Sequence, residues 1–204
     1  MRALNILAAA GMAAALAGCI SLFPKTTPAQ LYTFGEAMPA ATTPTGQPRF
    51  AVEALSIDFD RAAAGDRILT MTGNEAAYIK GARWDTGAQY LFESALTNAF
   101  AADAGPARLI ARGEQTRPDY VLKLEVRTFE ARYLAGQGAA PTAVVTVYAA
   151  LSRNGDRAIS ADHVFTASVP ASENRVGAIT AAYDRAVTQT LSQLARWVDT
   201  KGMG

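Results

Sequence analysis

From Tyr120 onward the side chains alternate in character. Tyr120, Leu122, Leu124, Val126 and Thr128 interleave with Val121, Lys123, Glu125, Arg127 and Phe129. A period of two belongs to a strand, because successive side chains point to opposite faces. Here one face is apolar and the other mostly charged, which suits a sheet covered on one side. A second run of the same kind spans residues 143–151. Arg153-Asn154-Gly155-Asp156 then reads as a hairpin turn, since Asn-Gly tolerates positive φ. Residues 157–167 read as the returning strand. Upstream, residues 50–59 form a first strand of imperfect alternation. Residues 67–72 and 76–80 form two short ones separated by Gly73-Asn74. Two segments have helical spacing instead. In residues 86–102, Leu91, Ala95, Leu96, Ala99 and Phe100 recur on one face, Asp85 or Thr86 is placed to cap the start, and Gly105-Pro106 stops the run. In residues 175–197 and just beyond, Val176, Ile179, Tyr183, Ala186, Val187, Leu191, Leu194 and Val198 make an apolar stripe. The order strands, helix, strands, helix gives an α+β fold, with a mostly antiparallel sheet and two helices packed on one face.

The N-terminus has a different character. After Arg2, residues 3–17 carry no charge. The run is too short to span a bilayer, which takes about 20 apolar residues, and it has the length of a signal-peptide core. It ends Leu16-Ala17-Gly18-Cys19, which resembles a bacterial lipobox. Small residues before the Cys fit a narrow protease cleft. The Cys19 thiol would then carry a diacylglycerol and become the new N-terminus. Removing Arg2, one of the 19 basic residues, matches the basic residues to the 18 acidic ones, so the remaining chain is formally neutral. Two or three acyl chains anchor stably, at roughly 0.8 kcal/mol per buried CH₂. Ile20, rather than Asp, follows the Cys, which favours the outer membrane. The expected division is a signal peptide over 1–18, a lipidated tether over 19–48, a folded domain over 49–200 and a tail over 201–204. The tether is rich in Pro, Thr and Ala, and about 30 extended residues reach roughly 100 Å. Within it, Leu31-Tyr32-Thr33-Phe34 alternates and is expected to add a short strand, which would shorten that reach.

Little in the chain suggests catalysis. One Cys forbids an intrachain disulfide and Cys-rich zinc sites, and one His excludes His-paired metal motifs. Near-neutral charge gives no general reason to bind nucleic acid. There is no Gly-x-Ser-x-Gly, His-Glu-x-x-His, phosphate-binding glycine loop or dinucleotide fingerprint. Gly136 and Gly138 fit a turn. His163 sits in a strand beside Asp162, which points to the other face, so it reads as structural. Asp58, Asp60 and Asp66 offer carboxylates for a hard cation only if they converge. Glu53 and Asp58 make a hydrolase pair only if a cleft brings them together. No cofactor, metal or catalytic residue is expected. Trp84 and Trp197 read as packing aromatics at helix–sheet junctions, or as anchors on a partner surface.

Taken in order, several segments resemble the ABC-type transport auxiliary lipoproteins. They are the lipobox at Cys19, Gly81-Ala82-Arg83-Trp84-Asp85, residues 96–100, Asp119-Tyr120-Val121-Leu122, Arg127-Thr128-Phe129-Glu130-Ala131, residues 144–151, residues 165–170 and Ala195-Arg196-Trp197-Val198. The family includes the lipoprotein of the Pqi intermembrane transport system. At Ile57-Asp58-Phe59-Asp60-Arg61 this chain departs from a Pro and aromatic–Leu pattern found in many members. The resemblance implies a non-enzymatic accessory subunit, working with an MCE-domain protein, an ABC permease and its ATPase in lipid transport across the periplasm. Other readings of the residues are a structural or assembly lipoprotein of the envelope, such as a peptidoglycan-synthase activator or an outer-membrane assembly subunit, a carboxylate hydrolase, and a direct lipid binder with an apolar cavity.

Overall fold

The computed structural model describes residues 28–36, 49–156 and 158–203. The expected signal peptide, the lipobox of Leu16, Ala17 and Gly18, Cys19 and most of the tether lie outside these residues. The alternating run from Tyr120 forms the centre of a nine-stranded sheet. It is strand β7 (Tyr120–Arg132), paired antiparallel along its length with β8 (Thr142–Arg153), which pairs antiparallel with β9 (Ala161–Pro170). On its other side β7 borders three short strands in turn, β2 (Phe50–Ala54), β3 (Asp58–Phe59) and β4 (Arg67–Thr72), all parallel to it. Strand β5 (Glu75–Trp84) returns antiparallel beside β4, and β1 (Gln30–Tyr32) lies parallel on the outside of β5. At the other end, β6 (Ala107–Leu109) lies parallel to β2. The long ladders are antiparallel; the parallel ones span two or three residues each.

Two corrections to the sequence reading concern which face a residue occupies. The expected strand over 50–59 is two strands. Phe50, Val52, Ile57 and Phe59 are all buried, and strict alternation cannot place both Val52 and Ile57 inward. The break between β2 and β3 resets the phase. In β7 the alternation inverts at Arg127. Val126 lies opposite Val147 and Thr128 opposite Thr146, so Arg127 is the extra residue of a β-bulge. Phe129, expected on the charged face, thereby turns into the core. Fully burying such a side chain contributes about 1.5–3 kcal/mol, enough to select the bulge over a regular ladder.

Helix α1 (Ala88–Ala102) follows β5, and helix α2 (Val176–Gly202) follows β9. Neither Asp85 nor Thr86 caps α1. Its N-cap is Gly87, without a side-chain bond. The free N–H groups of Ala88 and Gln89 instead donate to the backbone oxygens of Gly65 and Ala64. The ring of Phe129 packs against Phe92 of α1 and Tyr183 of α2, so both helices cover the same face. The α2 stripe is buried from Ile179 to Val198. Across the uncovered face, Thr146 and Thr166 share a hydroxyl bond of 3.2 Å, and the Arg127 guanidinium lies 4.5 Å from the Tyr148 ring centre. The fold is thus α+β, with a mostly antiparallel sheet and both helices on one side.

Candidate functional site

The N-terminal segment is built into the domain. Gln30, Leu31 and Tyr32 pair with Ala82, Arg83 and Trp84, and Tyr32 O accepts the Asp85 N–H. Two residues on, Phe34 enters the core, with its ring 5.0 Å from Trp84 and 5.2 Å from Phe129. Phe59, Phe92 and Tyr183 complete this aromatic cluster between sheet and helices. Edge-to-face pairs of this kind add about 0.5–1.5 kcal/mol beyond area burial. Gly35 then passes between the two helices. Its N–H donates to Asp184 Oδ1 of α2 at 2.7 Å, and its carbonyl accepts Asn98 Nδ2 of α1 at 3.3 Å. A β-carbon there would lie 2.4 Å from that of Ala95, and φ is +81°. Only glycine satisfies both conditions. The alternation of 31–34 signalled the strand; nothing in the sequence signalled the Gly35 clamp.

The carboxylates singled out from sequence are not brought together. Glu53 lines a cleft of about 410 Å³ between the β2–β3 connection, α1 and the loop after β6. Asp58 and Asp60 line a separate shallow depression beside Glu125 and Arg127. Asp60 accepts the Ala62 N–H at the turn after β3, and Asp66 pairs with Arg83. Asp60 and Asp66 thus turn to different partners rather than to a common point. Among the described residues, no group of three or more His, Cys, Asp or Glu could hold a metal ion. In the cleft, Arg112 pairs with Glu93 at 3.0 Å. Glu114 accepts two bonds from Arg108, one from Thr116 Oγ1 and one from the Ala111 N–H. The Arg108 guanidinium, then Thr116, hold its carboxyl down at about 2, so it is an anchored anion rather than a proton donor.

Trp84 is buried in the aromatic cluster at 1% exposure. Trp197 is half-buried at the far end of α2, where it packs on Phe165 and stacks with the exposed ring of His163. The imidazole therefore rests on two aromatic rings. Gly136, with φ +83°, turns the β7–β8 loop.

One titratable pair was not expected. Asp199 of α2 is buried; its Oδ1 accepts the Ala107 N–H at 2.8 Å, and Gly105 presses against it. Asp103, at the end of α1, faces it and has a buried oxygen without a donor. Burial, and then the hydrogen bond between the two carboxyls, pushes Asp199 up to about 6. The two carboxyls face each other where both helices end. Asp103 and Asp199 are 96 positions apart, so spacing gave no hint of the pair.

Comparison with known proteins sets these features in a family. No curated protein matches the chain. A crystal structure of a Xanthomonas campestris protein, carrying the family model DUF330, is 25% identical with a TM-score of 0.74, over 86% of this chain and 97% of that one. An uncharacterised protein of 13% identity has a TM-score of 0.65, over 84% and 99% of the two chains. A hypothetical protein from Chlamydia trachomatis, 9% identical, has a TM-score of 0.50, over 74% and 99%. The last two show the fold alone. The family model for the ABC-type transport auxiliary lipoprotein component matches residues 32–195, from β1 through most of α2, and on that match the chain belongs to the ABC-type transport auxiliary lipoprotein family.

Proposed function

We propose that the chain is a non-catalytic, membrane-anchored subunit that docks an MCE-type lipid conduit to the membrane, beside an ABC permease and its ATPase. The observation that carries this reading is the family match over residues 32–195. In support, Leu16-Ala17-Gly18-Cys19 follows an uncharged run of signal-peptide length, so residues 1–18 are removed and Cys19 carries the lipid. Ile20 after the Cys favours the periplasmic face of the outer membrane. The carboxylates Glu53 and Asp58 line different depressions, which argues against the hydrolase reading. An aromatic cluster occupies the space between sheet and helices, which argues against the lipid-cavity reading. Anchoring confines the domain near one membrane and raises its effective concentration for a partner there.

The test is purification of the tagged, lipidated protein from native membranes in mild detergent, with mass spectrometry of what accompanies it. The expected companions are an MCE-domain protein, a permease and an ATPase, all lost with Cys19→Ala. A peptidoglycan synthase or an outer-membrane assembly machine, with no transporter, would overturn this reading in favour of an envelope assembly role.

A further inference from the structure

The described N-terminal residues limit where the domain can sit. This inference rests on the lipidation of Cys19 proposed above. Because β1 and Phe34 belong to the fold, the free leash is not the whole of residues 19–48. Only eight residues separate Cys19 from Pro28, the first described residue. Even fully extended they reach about 30 Å.

The direction of the leash is also fixed at its root. Strand β1 runs parallel to β5, and β5 starts at the β4–β5 hairpin. The residues before Gln30 therefore leave β1 on the hairpin side. Gln30 is level with Ala82, and β5 extends from there to Glu75, up to about 23 Å. Eleven extended residues from Gln30 back to Cys19 cover about 36–40 Å. Cys19 can then lie no more than about 17 Å beyond the hairpin. To reach the opposite end of the sheet, the same residues would have to reverse at Gln30 and run back past β1.

The loops at the two ends differ in chemistry as well. At the hairpin end, Arg132 pairs with Met71 in the sheet and the Tyr133 N–H bonds to Met71 O, which sets the β7–β8 loop beside the hairpin. Residues 133–141 of that loop carry no charge. Leu134, at 79% exposure, is the most exposed large apolar side chain among the described residues. The opposite end holds Arg117, Asp119, Arg153, Asp156 and Lys201, with Ile159 and Met203 exposed among them.

We propose that the β4–β5 hairpin and the β7–β8 loop rest on the lipid bilayer that holds the anchor. The ends of both helices and the Tyr120 end of the sheet then point away from it, toward any protein partner. The test uses the full lipidated chain in vesicles of phosphatidylethanolamine and phosphatidylglycerol containing a headgroup-nitroxide phospholipid. Cys19 is the chain's one cysteine and is blocked by lipid, so single labels can be placed with Asn74→Cys and Leu134→Cys, and with Asn154→Cys and Met203→Cys. All four positions are exposed. The expected result is quenching several-fold stronger at 74 and 134 than at 154 and 203. Equal quenching at all four, or stronger quenching at 154 and 203, overturns the orientation while leaving the anchor intact. A wild-type chain that fails to float with the vesicles, or a Cys19→Ala chain that floats equally well, overturns the lipid anchor and the orientation with it.

Discussion

Strand β7 has two neighbours of opposite kinds. On one side β8 accompanies it from Tyr120 to Arg132 and is joined to β9 in the same way. On the other side β2, β3 and β4 divide the same length among them, in parallel pairings of two or three residues. The antiparallel side is local: each strand meets the next one in the chain. The parallel side depends on chain segments some 60 residues away, and each short ladder supplies few bonds. What holds it is the set of apolar side chains it sends into a common core. Phe34, Phe59 and Trp84 come from the short-strand side, Tyr183 from α2, and Phe129 of β7 touches all four. The seam between the halves is thus aromatic packing rather than backbone pairing.

Removing the hub should have the largest effect. Phe129→Ala is expected to cost about 3–5 kcal/mol, a large share of the 5–15 kcal/mol typical of a domain. Denaturant unfolding followed by far-UV circular dichroism and by tryptophan fluorescence checks it. If the seam joins the halves, both signals move together to lower denaturant. A first transition in fluorescence alone would mean that the short-strand half, with Trp84, melts separately while β7–β9 and α2 persist.

The same contrast explains what could be read from sequence. The antiparallel half was legible because long strands repeat their period and Asn154-Gly155 marks a turn, where the Asp156 N–H bonds back to Arg153 O. The α2 stripe was legible for the same reason, over 27 residues. In the other half, β3 has two residues and β6 three, too few to display a period. The strand expected over residues 76–80 runs on through Gly81–Trp84 as the end of β5. Bulges hid more: one residue at Arg127 moved Phe129 from the outer face to the core. Of the candidate site, the strand at Leu31 was visible. The Gly35 clamp and the Asp103–Asp199 pair were not, because each is made by residues that only the fold brings together.

Gly35→Ala tests the edge of the short-strand half. The added methyl meets Ala95 and the backbone is left at positive φ, for an expected cost of about 1–3 kcal/mol. Hydrogen exchange should show lost protection around Tyr32 and Asp85 with β8 unchanged. Uniform loss across β8 would mean that β1 is required by the whole sheet, and the comparison would fail at its edge.

The carboxyl pair joins the start of β6 to the end of α2, a second seam at the other end. The Asp199 carboxyl fixes the sign of the pH effect. The folded Asp199 carboxyl titrates near 6, above the ordinary value of 3.8. The folded state therefore binds the proton more tightly. The associated stability is present below about pH 4 and is lost as pH rises through 6. The protein is expected to melt at a higher temperature at pH 5 than at pH 7.5. Asp199→Asn keeps an acceptor for the Ala107 N–H and gives Asp103 a donor at every pH. It should flatten the dependence and stabilise the chain at pH 7.5 by on the order of 1 kcal/mol. An unchanged pH profile in this variant would place the titration elsewhere.

The smallest effect is expected within the short-strand half itself. Asp66 and Arg83 pair at 2.6 Å, across the irregular start of the β4–β5 ladder, and both side chains are about half exposed. Pairs of this exposure contribute about 0–1 kcal/mol because solvent screens them. Asp66→Asn should therefore shift the denaturant midpoint only slightly, and less at high salt. The backbone bond from the Trp84 N–H to Asp66 O, at 2.7 Å, survives the substitution and keeps the turn in place. A loss approaching that of Phe129→Ala would reverse the argument. It would mean that surface charge pairing, rather than the aromatic seam, holds the short strands against β7.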